Sequence, residues 1–251
     1  MGRRAYGAVH ELQERLQGAR QRGEIGDTVL LLEHEAVITS GRGGHAEHVL
    51  LSPALLAERG IELHAVGRGG DVTLHAPGQL VGYPILDLAP DRQDVRRYVG
   101  DLTQVMAAIA AEHGVSSGTV PDLIGLWADA AAPASWRGPE HARQIKKLGA
   151  IGVRVSRWVT MHGFALNLTN DLALFSLIVP CGIATHGVTS LAELRERAAA
   201  PSPQPLSVRH AAERAFELLC ARFDAAGQLE DCSDCAIHEL SDRLLSNSTA
   251  A

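Results

Sequence analysis

Lysine is almost missing from this 251-residue chain: of its 23 Lys and Arg side chains, only Lys146 and Lys147 are lysines. Cysteine is nearly as scarce, with four residues, Cys181, Cys220, Cys232 and Cys235. They form no regular framework, which fits a reducing compartment where a thiol is either a nucleophile or a small buried side chain. Positive charge is in deficit, 23 basic against 29 acidic side chains for a net charge of −6. That excludes bulk nucleic-acid binding, which needs Lys and Arg spread over one face. No apolar run approaches the roughly 20 residues of a membrane span. The opening "MGRRAYGAVHELQERL" turns amphipathic at once, without the apolar core and small-residue cleavage site of a secretory signal, so a cytoplasmic location is expected. Neither a G-x-G-x-x-G fingerprint nor a P-loop occurs, and there is no internal repeat.

What is present is a 46% hydrophobic composition, ample for one sizeable core. Val9, Leu12 and Leu16 recur at helical spacing before a glycine stop at Gly23, and Val95, Val99, Leu102, Val105, Met106 and Ile109 do the same before Gly114. "PLSVRHAAERAFELLCARF" reads as a third helix. Short strands are predicted from about Glu62, Asp71 and Leu80, and in "LIGLWAD", "LGAIGVRVS", "MHGFALNL" and "FSLIVP". The class is α+β: a mixed sheet with flanking helices, expected on one side. The Ala-, Pro- and Gly-rich stretch between Trp127 and Ile145 reads as a surface loop. Residues 1–224 read as one catalytic domain and 225–251 as a flexible C-terminal tail.

Two stretches carry candidate chemistry. "GRGGDVTLHAPGQ" pairs Gly69 and Gly70, which permit positive φ and consecutive backbone N–H donors, with Arg68, His75 and Gln79. A glycine turn with an internally satisfied histidine is the competing reading. "GRGG" at Gly41 to Gly44 reads as a turn. In "SLIVPCGI", Cys181 lies between a rigid proline and a permissive glycine, so it is either a thiol held in the open or a buried structural cysteine. A thiol of ordinary pKa needs a nearby cation or base to react at neutral pH. Lys146 and Lys147, at the head of an apolar strand, are the cations on offer.

Together "RGGDVTLHAPGQLVGYPILDL", "KLGAIGVRVSRWVTMHGFALNL" and "LIVPCGI" resemble the three signature blocks of the octanoyl-[acyl carrier protein]:protein N-octanoyltransferases, the LipB family, in that family's order and spacing. The resemblance covers about Ala5 to Phe223. It implies a fold similar to the catalytic domain of biotin and lipoate protein ligases. It implies that Cys181 is the acyl-accepting nucleophile and that Lys147, by the register "KLGAIG", lowers its pKa. Substrate contacts are implied for Arg68, Gly69, Gly70, Asp71, Val72, Thr73, Leu74 and His75, for Ala150, Ile151 and Gly152, and for Gly163, Phe164 and Ala165. The implied partners are octanoyl-acyl carrier protein as donor, and as acceptors the lipoyl domains of 2-oxoacid dehydrogenase acyltransferase subunits and the glycine cleavage H protein. No cofactor, metal, nucleic acid or membrane is implied.

Other readings are an ATP-dependent lipoate or octanoate ligase, which would not need Cys181, and a non-catalytic acyl-binding module, which would bind without turnover. A papain-like hydrolase would pair the cysteine with His162 or His186, but neither sits in a fitting context. "CSDCAIH", Cys232 to His238, offers half a zinc site at most and reads as an incidental surface thiol pair.

Overall fold

The computed structural model describes residues 1–179, 186–198 and 205–246. In chain order the elements are β1 (Arg3–Arg4), α1 (Tyr6–Gln21), β2 (Thr28–His34), β3 (Val37–Ser40), α2 (Pro53–Glu58), β4 (Glu62–Ala65), β5 (Val72–His75), β6 (Gln79–Ile85) and α3 (Val95–Glu112). They continue with β7 (Gly118–Val120), β8 (Leu123–Asp129), β9 (Ile145–Ser156), β10 (Val159–Asn167), β11 (Gly187–Val188), α4 (Leu191–Ala198), α5 (Val208–Phe223) and α6 (Ile237–Ser246). The large mixed sheet runs β1-β2-β6-β10-β9-β8-β7, with β11 added parallel to the start of β9. A small second sheet runs β4-β3-β5.

Both faces of the large sheet are covered, where the sequence reading expected helices on one. Period-two alternation sends Leu31, Leu80, Phe164 and Leu166 into one core with Leu102, Met106 and Leu219, from α3 and α5. Their strand neighbours Leu30, Leu32, Val81 and Ala165 enter a second core with Val9, Leu12 and Leu16 of α1. The central strands are therefore apolar at nearly every position, which hides the alternation that would betray two covered faces. The predicted helices form as expected: Gly23 and Gly114 follow α1 and α3 with φ of +72° and +73°, and Asp94 caps α3 by accepting from the Arg96 and Arg97 N–H groups.

Of the apolar run "FSLIVP", expected as a strand, Phe175 to Leu177 instead belong to a 3₁₀ segment over Leu172–Leu177, with Asp171 accepting from Ala173 N–H at its start, and Ile178 makes a single bridge to Val49; Pro180 lies outside the described residues. Phe175 and Leu177 pack into a third core beneath the small sheet, so the run is apolar because it is a plug. Periodicity alone cannot separate these readings of a short apolar run.

Between residues 225 and 246 the chain packs back onto the domain. Ile237, Leu240 and Leu244 recur at helical spacing in α6 and join the core under α1. Arg4 ties down the connection by donating to the Cys232 and Ser233 carbonyls at 2.6 and 2.8 Å. Cys232 is correspondingly a buried residue of that core, with the Arg243 guanidinium 2.9 Å from its Sγ, and not a surface thiol.

At the centre of the sheet β6 and β10 approach with glycine at the crossing. A Cβ on Gly163 would collide with the Gly82 carbonyl oxygen, and Pro84 Cδ would stand 2.7 Å away. Backbone cannot yield as a side-chain tip can. Gly163→Ala is expected to lower unfolding stability by about 1–3 kcal/mol, read as a fall in the urea midpoint at unchanged m-value. A midpoint equal to that of the unsubstituted protein would show that the crossing is looser than drawn.

Candidate active site

A small cavity of about 40 Å³ lies where the first glycine loop crosses the sheet. Its walls are Arg68, Gly70, Thr73 and His75 from the loop and β5, Ala150, Ile151 and Gly152 from β9, and Gly163, Phe164 and Ala165 from β10, with Tyr6, Tyr83 and His162. Blocks separated by about 70 residues of sequence thus meet at one place. A larger hollow of about 720 Å³ runs between β2, α5 and the segment before α6; Leu86, Asp87 and Leu88 at the end of the first block reach it, but none of the implied substrate-contact residues lines it.

Four of the eight residues from Arg68 to His75 do not line the cavity. Val72 and Leu74 point into the core beneath the small sheet, because β5 alternates and only Thr73 and His75 face the cleft. Asp71 turns the other way, to the His48 ring at 2.5 Å and the His45 N–H at 3.2 Å. Gly69 does not offer a free N–H, since that group donates to the Val153 carbonyl at 2.9 Å, and of the two glycines Gly70 alone has positive φ, +82°. The "GRGG" turn at Gly41 to Gly44 is a turn with a purpose: Arg42 and Gly43 N–H groups donate to the Arg68 and Gly70 carbonyls, buttressing the glycine loop from behind. Arg68 lies across the bare Cα of Gly152 and is clamped by Thr39, with one guanidinium nitrogen 2.6 Å from its carbonyl oxygen.

The polar groups around the cleft form a directed network. His75 Nδ1 lies 2.8 Å from Gln79 Oε1, and the Gln79 amide is oriented by donating to Asn167 Oδ1 at 2.8 Å. An amide oxygen only accepts, so His75 carries its proton on Nδ1 and leaves Nε2 as an acceptor. The path continues from Asn167 Nδ2 to the Thr189 carbonyl at 2.9 Å, and Thr189 N–H donates to the Lys147 carbonyl at 2.9 Å. By the same reasoning His34 donates from Nδ1 to the Arg4 carbonyl and accepts at Nε2 from the Tyr83 hydroxyl, each at 2.9 Å. Burial pushes the pKa values of these rings far down, to about 4 for His34 and about 3 for His75, and pushes the Tyr6 hydroxyl up to about 12. At neutral pH this lining is uncharged apart from Arg68.

The two lysines have opposite fates. Lys146 reaches Glu193 at 3.2 Å, and the same carboxylate binds Arg197 and the Thr189 hydroxyl. Lys147 is 7% exposed, with Nζ 5.2 Å from the centroid of Trp127, whose ring also meets His186 edge-on. Three residues apart in a regular strand, Lys147 and Ala150 would face opposite ways. The pairing of β8 with β9 shifts between Leu126 and Trp127, so that Leu126 opposes Gly149 and Trp127 opposes Lys147. Leu148 and the Cβ direction of Gly149 both turn toward the α3 core, where Met106 lies. The bulge thereby returns Lys147 to the face it shares with Ala150 and the cleft. The long segment before Lys147 does not disturb this, because Asp129 pinches its two ends together by accepting from the Ala131, Arg143 and Gln144 N–H groups.

Cys181 lies outside the described residues. The described chain stops at Val179, whose N–H donates to the His48 carbonyl, and resumes at His186 beside Trp127.

Residues 6–217 match the family model of the lipoyl protein ligase A/B catalytic domain. The chain is 44% identical over 210 residues to an octanoyltransferase of Solibacter usitatus, covering 84% of this chain and 88% of that one. It is 44% identical over 225 residues to an octanoyltransferase of Chloroflexus aggregans, covering 89% and 93%. The chain belongs to the octanoyltransferase (LipB) branch of this family. It is an acyltransferase, and its fold is that of the lipoate ligases. A lipoate-protein ligase A bound with ATP superposes with a TM-score of 0.64 at 11% identity, over 97% of this chain and 93% of that one. A bipartite lipoate protein ligase of Thermoplasma acidophilum does so with a TM-score of 0.62 at 14% identity, over 98% and 91%.

Tyr6, Tyr83 and His162 line the cleft without having been singled out for it from the sequence. Tyr83 and His162 stand inside the family-like blocks and were legible there; Tyr6 comes from the first turn of an otherwise ordinary helix and had no signal.

Proposed function

We propose that this protein transfers an octanoyl group from octanoyl-acyl carrier protein to the ε-amine of a lysine on a lipoyl domain, through a thioester on Cys181. The observation that carries the reading is the bulge of β9, which turns Lys147 to the cleft face while Ala150, Ile151 and Gly152 of the same strand line the cleft. The pairing of Lys147 with Cys181 is supported by the resemblance of "KLGAIG" and "LIVPCGI" to the family's blocks.

In this reading the Cys181 thiolate attacks the octanoyl carbonyl, the C–S bond to the carrier breaks, and the departing thiolate takes a proton from Lys147. Lys147, now neutral, accepts a proton from the incoming lysine amine as that amine attacks the acyl-enzyme. Amide forms, the Cys181 thiolate is released, and the site is ready for another round in a ping-pong scheme. The thioester supplies the activation. Arg68, Thr73 and His75 with Ala150, Gly152, Gly163, Phe164 and Ala165 hold the acyl chain and its carbonyl; acceptors are the lipoyl domains of 2-oxoacid dehydrogenases and the glycine cleavage H protein.

Incubation with octanoyl-acyl carrier protein is expected to add one hydroxylamine-labile octanoyl group to the intact protein, and none to Cys181→Ala. An adduct that persists in Cys181→Ala would remove the nucleophile, and transfer from free octanoate with ATP would favour a ligase instead.

A further inference from the structure

His162 carries two structural costs at once. It lies inside β10, yet its φ is +60°, in the left-handed region that few non-glycine residues occupy. Its N–H donates to Gln13 Oε1 of α1 at 3.0 Å. The ring is 2% exposed, and its Nε2 is buried with no hydrogen-bond partner among the described residues, although a buried polar atom without one is costly. The buried Nε2 atoms of His10 and Gln13 are unpartnered in the same way, and the His10 ring stacks at a tilt 5.6 Å from that of His162.

These costs fall on a residue that lines the cleft beside Gly163. Its neighbours in the lining are committed elsewhere, His75 to Gln79 and Arg68 to Thr39. Strain and an orphaned polar atom persist where the surrounding structure enforces them, and such places cluster at working sites. Burial, with Arg68 and Arg154 nearby, pushes the His162 pKa down to about 3, so the ring is neutral and offers one donor and one acceptor. A neutral imidazole beside an apolar wall suits a carbonyl oxygen, which takes one hydrogen bond and carries no full charge until it is attacked.

We propose that His162 is a substrate-contacting residue of the acyl transfer: its ring N–H donates to the carbonyl oxygen of the bound acyl thioester, and His10 and Gln13 position it from α1. This rests on the acyltransferase reading above. The thioester carbonyl held in this way presents its carbon to the thiolate, and the same contact strengthens as negative charge develops on the oxygen.

His162→Asn separates function from folding, because asparagine accepts this φ at least as readily as histidine. Its thermal midpoint is expected to equal or exceed that of the unsubstituted protein, while kcat/KM for octanoyl-acyl carrier protein falls about 100-fold. The first-order rate of acyl-enzyme formation should fall with it, and KM for the lipoyl domain should stay within twofold. His162→Gly, which relieves the backbone fully, should behave alike. Activity within threefold of the unsubstituted protein in either variant, or a loss that merely tracks unfolded protein, would overturn the proposal. An unsubstituted protein that transfers no octanoyl group overturns the acyltransferase reading first and this one with it.

Discussion

Lys147→Met is expected to slow octanoyl transfer at neutral pH by about 10²- to 10⁴-fold, the range that a positioned acid–base group contributes. The reason lies in burial. Nζ sits over the Trp127 ring in a site with 7% exposure, where a charge attracts an anion far more strongly than in water. Methionine keeps the length and the packing against Trp127 while removing the ammonium, so folding should be little changed. The thermal midpoint checks that, and thiol alkylation against pH checks the chemistry: reactivity lost near pH 7 should return in alkali as Cys181 ionises unaided. Lys147→Arg sharpens the test. A guanidinium keeps the positive charge but does not give up its proton. The first half-reaction should therefore survive better than the second, and the octanoyl adduct should accumulate in a time course of intact mass. Equal losses in both half-reactions would mean that Lys147 supplies charge alone, and an unchanged alkylation profile in Lys147→Met would remove it from the pair.

The sequence distinguishes the two lysines; it does not show how either is aimed. "KLGAIG" set Lys147 apart from Lys146, and the structure separates them physically, one under Trp127 and one paired with Glu193. What orients Lys147 is a register shift between β8 and β9, a property of two strands together that neither sequence displays alone. Strands and helices with a clear period were readable, and "LIGLWAD" matches β8 residue for residue. The failures share one cause. The central strands carry apolar residues on both faces, Phe175, Leu177 and Ile178 are apolar as a plug, and α6 hides three core residues in a polar stretch, so hydrophobicity there reports burial without reporting shape. The first motif block shows the converse. Arg68 to His75 read as one unit there, yet a strand of period two lets Thr73 and His75 face the cleft and sends Val72 and Leu74 into the core.

Acidification should destabilise this protein well above the pH at which carboxylates titrate. His34, His75 and His162 are all buried, and desolvation lowers their pKa values to about 4, 3 and 3. In the unfolded chain each returns to an ordinary value near 6.5. Above pH 6.5 neither state binds a proton and the folded state keeps its full stability. Below it the unfolded chain is protonated while the fold holds neutral rings, so stability falls by up to about 1.4 kcal/mol per pH unit per histidine until the folded pKa values are reached. Three such groups amount to on the order of 4–6 kcal/mol by pH 5, a large share of the 5–15 kcal/mol typical of a domain. The carboxyl of Asp129, held low by the three N–H groups it accepts from, still favours the fold there and is lost only in stronger acid. Urea midpoints should therefore be level above pH 7 and drop steeply from pH 6.5 to 4.5, with the slope reduced by about a third in His162→Asn. A midpoint that stays level down to pH 5 would mean that these rings take up protons in the folded state. In that case neither the neutral lining of the cleft nor the hydrogen bond assigned to His162 would stand.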